Sequence, residues 1–172
     1  MQIMNFRSLS ISKGRFTFVL FSAFWLSGLL FGFHYVPYAG EIYVSLMRSA
    51  TLCPVSIVGL TATVFVPFLL TAFAVYCNKT GLLLLFCFCK AFMHALCAGG
   101  ISLAYGKADW LVRILLLFSD CCSLPLFSWF CLRCLRFGTQ DLKQDLWRCL
   151  AVLIPVCGFD YMVVSPFLAE LI

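Results

Sequence analysis

Four ionisable side chains stand inside otherwise apolar stretches of this sequence, where they could take part in chemistry. Lys90, Asp120 and Asp160 each lie deep in an apolar run, and His94 follows Lys90 by one helical turn. A central Lys or Asp costs roughly 2.5–3.5 kcal/mol on membrane-insertion scales, so such residues usually face the interior of a helix bundle and pair there. We call these four residues the polar cluster.

The polar cluster has two interpretations. It is either a relay for protons or ions, or a set of charge pairs that locks the helices together and specifies their packing. Lys90 and Asp120 fall on consecutive predicted helices joined by a short turn. Their depths in the membrane agree within about one helical turn, and the depth of Asp160 in the last predicted span agrees with both. An ion pair between Lys90 and Asp120 is therefore the leading prediction. The packing interpretation is favoured, because the sequence shows no internal repeat of the kind that transporters carry.

Small residues form a second pattern. Gly28 and Gly32 repeat at four-residue spacing in the first apolar run, and Ala91, Ala95 and Gly99 do so beside Lys90. Such stripes let helix backbones approach closely inside a membrane. This small-residue face (Gly28, Gly32, Ala91, Ala95 and Gly99) predicts close packing within the chain or, alternatively, against the membrane helix of a partner.

Catalytic and metal-binding patterns find little support. The sequence has no zinc-protease H-E-x-x-H, no G-x-S-x-G nucleophile elbow and no Gly-rich phosphate loop. Asp120 and Asp160 lack the glycine-flanked settings of an aspartyl dyad. Most of the 11 cysteines fall in apolar runs, where they behave as small hydrophobic residues, and Cys131-x-x-Cys134 lacks a second metal-binding pair. We expect no catalytic residue, no metal and no cofactor.

The composition defines the class of protein. Of 172 residues, 63% are hydrophobic and 11% are charged, against roughly 45–50% and about 25% in soluble domains. The mean hydropathy of +1.04 agrees. Because a membrane-spanning helix needs about 20 apolar residues, the chain has enough for about five. Its net charge of +5 is spread over short loops without a patch, so nucleic-acid binding is not expected.

The predicted fold is all-α, a polytopic membrane helix bundle. Residues 1–15 form a cytoplasmic N-terminal segment, and residues 16–172 form a single transmembrane domain. Residues 37–50 connect the first two spans and have the spacing of a short interfacial helix. The polar residues 132–147 predict a loop with a short amphipathic helix around residues 139–148. The five predicted spans are about 16–36, 52–76, 82–105, 110–131 and 147–168.

Basic residues predict the orientation. With five spans, eight basic residues fall on the side of the N-terminus and three on the other side. The positive-inside rule then places the N-terminus in the cytoplasm and the C-terminus outside. The eight residues are Arg7, Lys13, Arg15, Lys79, Arg133, Arg136, Lys143 and Arg148.

The order of several motifs resembles the stage II sporulation protein M family. The first helix carries G-x-x-x-G at residues 28–32 after a basic N-terminus. An aromatic-rich run leads into Lys90, with small residues one, five and nine positions later, and Gly106 falls in the next turn. The following helix has a polar break at Ser119-Asp120 and then Pro125.

The resemblance covers roughly residues 15–129 and implies a function. Members of that family have about five spans and a cytoplasmic N-terminus, and they lie in the bacterial cytoplasmic membrane. They are thought to recruit or anchor two partners that degrade peptidoglycan during engulfment of the forespore. Such a role needs no chemistry from this chain.

We therefore expect a non-catalytic integral membrane scaffold that contacts the lipid bilayer and binds other membrane or envelope proteins through its small-residue face. Whether it also forms a homo-oligomer is open. The alternative is a small membrane transporter or permease subunit whose polar path is the polar cluster. The two differ in a measurable way, because only a transporter would show pH-dependent flux that is lost with Lys90→Leu.

Overall fold

The computed structural model describes residues 6–52, 57–104, 110, 114–115, 117–164 and 166. Of these residues, the side chains are described from residue 15 onward, except at residues 40–63 and 104. Every regular element in these residues is helical, which confirms the predicted all-α bundle. The elements are α1 (Phe6–Leu52), α2 (Ile57–Tyr76), α3 (Thr80–Ala104), α4 (Phe118–Phe137), α5 (Leu142–Phe159) and a π-helical segment (Asp160–Val164) that continues α5.

Within the described residues, three helical segments are long and apolar enough to cross a membrane: Arg15–Ala39, Thr80–Leu103 and Leu142–Val164. The chain is thus a membrane protein by helix length and composition. Helix α2 has 20 residues, none of them charged, whereas α4 contains three charged residues. The count of five spans stays a prediction.

Helix α1 is longer than the sequence indicates. It has 47 residues and runs through Pro37, so the predicted connection at residues 37–50 is part of the same helix. Residues 37–50 are helical, as the interfacial pattern suggested, although most of their side chains lie outside the described residues. The missing N–H of Pro37 removes only one backbone hydrogen bond, and the helix continues to Leu52.

The predicted loop at residues 132–147 is wrong, whereas the short helix predicted around residues 139–148 is present from Leu142 as the start of α5. Helix α4 continues to Phe137 and α5 begins at Leu142, so only a short turn separates them. The charged residues therefore lie at the ends of the two helices. Helix α4 ends at a backbone signal and not where its apolar run stops. That signal is Gly138, whose φ of +63° is a conformation that favours glycine.

Helices α1 and α3 pack in parallel over the small-residue face. A Cβ added at Gly32 would lie 2.6 Å from the Cβ of Ala95 and 2.6 Å from the carbonyl oxygen of Phe92, so the backbones touch directly. Three contacts at a constant sequence offset show the parallel direction; they join Gly28 to Ala91, Gly32 to Ala95 and Val36 to Gly99.

Helix α2 packs against three other helices, α3, α4 and α5. Its Phe68 is fully buried, with its ring centroid 5.3 Å from that of Phe127 and 5.7 Å from that of Phe130 on α4. Trp25 of α1 packs 6.3 Å from Phe127. Lipid tails are as apolar as these rings, so close packing, and not the exclusion of water, holds the helices together.

Candidate functional site

Two side chains of α3 meet one carboxylate of α4. Lys90 Nζ lies 2.5 Å from Asp120 Oδ1, and His94 Nδ1 lies 2.7 Å from Asp120 Oδ2. The predicted Lys90–Asp120 ion pair is confirmed. Because an ionised carboxylate only accepts hydrogen bonds, His94 donates from Nδ1, and both oxygens of Asp120 are engaged. The side chains of Lys90 and Asp120 are 10% and 24% exposed.

The fourth member of the polar cluster, Asp160, is held by the residue of α4 that precedes Asp120. The hydroxyl of Ser119 donates a hydrogen bond to Asp160 Oδ2, and Asp160 is only 9% exposed. The rings of Phe118 and Phe159 lie 5.4 Å apart at the same level. Asp160 is also the first residue of the π-helical segment, and π turns are frequent at functional sites. The sequence placed Ser119 in a polar break beside Asp120 but did not predict its contact with Asp160, since serine is common in membrane helices.

The polar cluster borders a cavity of about 430 Å³ between α2, α3, α4 and the π-helical segment. Lys90, Ser119, Asp120 and Asp160 form its polar wall, and His94 joins them through Asp120. Most other lining side chains are apolar. The structure therefore brings all four predicted polar residues to one site. Chemically, this site can hold a hydrogen-bonding group or exchange protons.

A second ionic group, which the sequence did not single out, joins α4 to α5 near their turn. Arg133 contacts Asp145 through Nε at 2.9 Å and Nη2 at 3.3 Å, and Arg148 Nη1 contacts it at 3.2 Å. The side chain of Asp145 is 4% exposed. Hydrogen bonding to Asp145 raises the pKa of Arg133 above its ordinary value, so the guanidinium stays charged. The only sequence signal was the three-residue spacing of Asp145 and Arg148.

The small-residue face is occupied within the chain. Gly28 and Gly32 of α1 lie against Ala91 and Ala95 of α3, and Gly99 lies against Val36. A partner helix cannot use this face while α1 covers it. The expectation that a partner docks there is therefore corrected, because the glycines of the first helix already match the small residues of the third.

Half of the ten cysteines that the structure describes are buried. Cys131 and Cys134 are buried and carry free thiols. In the parts of the chain that the structure describes, no group of three or more His, Cys, Asp or Glu side chains is arranged to hold a metal ion.

The chain matches no protein-family model, no curated protein and no solved structure. The resemblance to the stage II sporulation protein M family thus stays a prediction from the sequence. Functional inference depends on the geometry of the bundle itself.

Proposed function

We propose that the chain is a multi-pass membrane protein whose basic end faces the cytoplasm. The turn between α2 and α3 and the turn between α4 and α5 meet around a polar pocket of about 510 Å³, whose lining includes Asn78, Lys79 and Thr139. Because α1 is parallel to α3, Arg15 lies at this same end. Basic residues gathered at one end of a bundle support a cytoplasmic position for that end.

Within that membrane, we propose a non-catalytic scaffold that recruits or anchors cell-envelope proteins, as the resemblance implies. In a sporulating host, those partners would degrade peptidoglycan during engulfment. Because α1 covers the small-residue face, a partner must use another surface.

The observation that carries this proposal is the outer face of α1. This face (Phe16, Val19, Leu26, Leu30 and Phe33) is between 53% and 70% exposed along the whole candidate span. Its members recur at steps of three, four or seven residues, which is the spacing of a seam that packs on another helix. A helix held on one side by α3 and open on the other is suited to receive the membrane helix of a partner.

The test is recovery of partners with the full tagged chain from its native membrane in mild detergent, followed by mass spectrometry. Leu30→Trp alters the outer face of α1, and Leu103→Trp is the matched control on an exposed site of α3. We expect the unmodified chain and the control to recover envelope proteins, and Leu30→Trp to recover about tenfold less, which corresponds to about 1.4 kcal/mol of binding. Equal recovery by both variants would contradict a docking role for this face.

A second candidate function is that of a small transporter or permease subunit. The convergence of Lys90, Asp120 and Asp160 on one cavity favours it, as does the helix irregularity at Asp160. In liposomes containing the purified chain, this function requires pH-dependent flux that is lost with Lys90→Leu and kept with Lys79→Leu. Absence of flux from the unmodified protein would exclude it.

A further inference from the structure

The 430 Å³ cavity is open toward the lipid. Leu70 of α2 and Met93 of α3 both line it, yet they are 42% and 52% exposed. An opening between exposed apolar side chains of two membrane helices faces the hydrocarbon of the bilayer. Its volume falls within the roughly 300–1,000 Å³ of small-molecule sites.

The two walls of the cavity differ in chemistry. Side chains such as Pro67, Phe86 and Ile101 make one wall apolar, which suits a hydrocarbon chain and not a hydrated ion. On the polar wall Lys90 and Asp120 neutralise each other, so this pair does not call for a charged ligand, and the carboxyl of Asp160 is held by the hydroxyl of Ser119.

Hydrogen-bonding capacity remains on the polar wall. Both oxygens of Asp120 are engaged. In the contacts that the structure describes, Lys90 uses one of its three ammonium hydrogens, and Asp160 uses one of its two oxygens. One donor group and one acceptor group are therefore available to a ligand. A hydroxyl can meet either group, since it both donates and accepts.

We propose that this cavity binds a single-chain membrane amphiphile with an uncharged hydroxyl head group. The chain lies against the apolar wall, the hydroxyl meets the polar wall, and the ligand enters from the bilayer past Leu70 and Met93. This site goes beyond the proposed scaffold function, which needs no ligand.

The test uses the full chain in phosphatidylcholine vesicles with a photoreactive hexadecanol that carries a diazirine in its chain. After irradiation, mass spectrometry locates the label. We expect labelling of peptides around Met93. An excess of unlabelled hexadecanol should reduce this labelling about tenfold more than hexadecane does, because hexadecane cannot replace the hydrogen bonds, each worth about 0.5–1.5 kcal/mol. Equal competition by hexadecane would overturn the assignment of the head group.

Two tryptophan variants test the position of the ligand. Ile101 is 1% exposed and lines the cavity, so Ile101→Trp should fill it and abolish labelling around Met93. Leu103→Trp places the same ring on the exposed side of α3 and should leave labelling unchanged. Undiminished labelling of folded Ile101→Trp, or labelling confined to the outer face of α1, would overturn the proposal. If Ile101→Trp does not fold, the competition on the unmodified chain decides.

Discussion

Asp120 joins α4 to α3 and also borders the cavity. Its carboxylate accepts from Lys90 and from His94 on the neighbouring helix. A charge in apolar surroundings is tolerated only while its partners remain. Removing one partner of such a pair is strongly destabilising, whereas replacing the whole pair by apolar residues often is not.

Lys90→Met is therefore expected to lower the free energy of unfolding by about 3 kcal/mol. The loss should appear as a lower midpoint for heat-induced loss of monodisperse protein in mild detergent. Lys79→Met, in an exposed turn, is the control and should change little. Adding Asp120→Leu to Lys90→Met should recover part of the loss, since no unpaired charge then remains. A Lys90→Met variant as stable as Lys79→Met would show that the pair does not hold the helices.

Asp145→Asn should weaken the contact between α4 and α5, because it replaces a nearly buried carboxylate, which two arginines share, by a neutral amide. Hydrogen bonds to charged groups contribute about 1.5–3 kcal/mol, so a loss of that order is expected in the same thermal assay. Asp141→Asn is the control in the adjoining turn. Its φ of +61° suits asparagine, and its stability should be unchanged. If the two variants lose the same stability, the arginine contacts with Asp145 have no special weight.

Some residue contacts could be predicted from the sequence and others could not. Lys90 and Asp120 stand out because charge is costly in an apolar run, and the short turn between their helices sets their partnership. Ser119 carries no such cost, so its contact with Asp160 was not predicted. The contact of Arg133 with Asp145 escaped because both residues were assigned to a loop, where charges are ordinarily solvated.

At the scale of helices, the α1–α3 pair is the best specified contact. A Cβ added at Gly28 would lie only 2.5 Å from the carbonyl oxygen of Phe88. The two main chains are therefore in direct contact, with no room for a side chain between them. The sequence predicted that small residues would pack closely, but it could not assign their neighbours. A stripe of small residues has the same appearance whether it meets its own chain or a partner.

Gly32→Ala should separate α1 from α3, whereas Gly158→Ala should not. The new methyl at residue 32 would meet Ala95 and the backbone of Phe92, but nothing lies within 4 Å of a Cβ at Gly158. Alanine otherwise stabilises a helix interior by roughly 0.5–1 kcal/mol over glycine, while overpacking costs typically 1–3 kcal/mol. Thermal midpoints in detergent should therefore fall for Gly32→Ala and hold or rise for Gly158→Ala. The opposite order would refute the backbone contact.

Helix boundaries were the weakest part of the sequence prediction. Apolar content marks where a helix crosses hydrocarbon, but the helix itself continues until the backbone ends it. Helix α1 continues past Ala39 to Leu52, and α4 continues past Cys131 to Phe137. In both cases the polar residues that suggested the end of a span are compatible with helix outside the hydrocarbon.

For the whole molecule, we propose a membrane bundle whose two tight turns and N-terminal side lie at one basic, cytoplasmic end. The polar pocket shared by residues 78–80 and 138–139 brings the turns together, and the parallel α1–α3 contact brings Arg15 to the same end. An odd number of spans would then place the C-terminus on the opposite side.

The most direct measurement is the accessibility of short epitopes inserted in the full chain after Lys79, after Thr139 or after Ile172. Antibody binding is compared in right-side-out and inside-out vesicles from the native membrane. We predict that the first two epitopes bind antibody only in inside-out vesicles and that the third binds only in right-side-out vesicles. Epitopes at residues 79 and 139 on opposite sides of the membrane would contradict the bundle, and both facing outward would contradict its orientation.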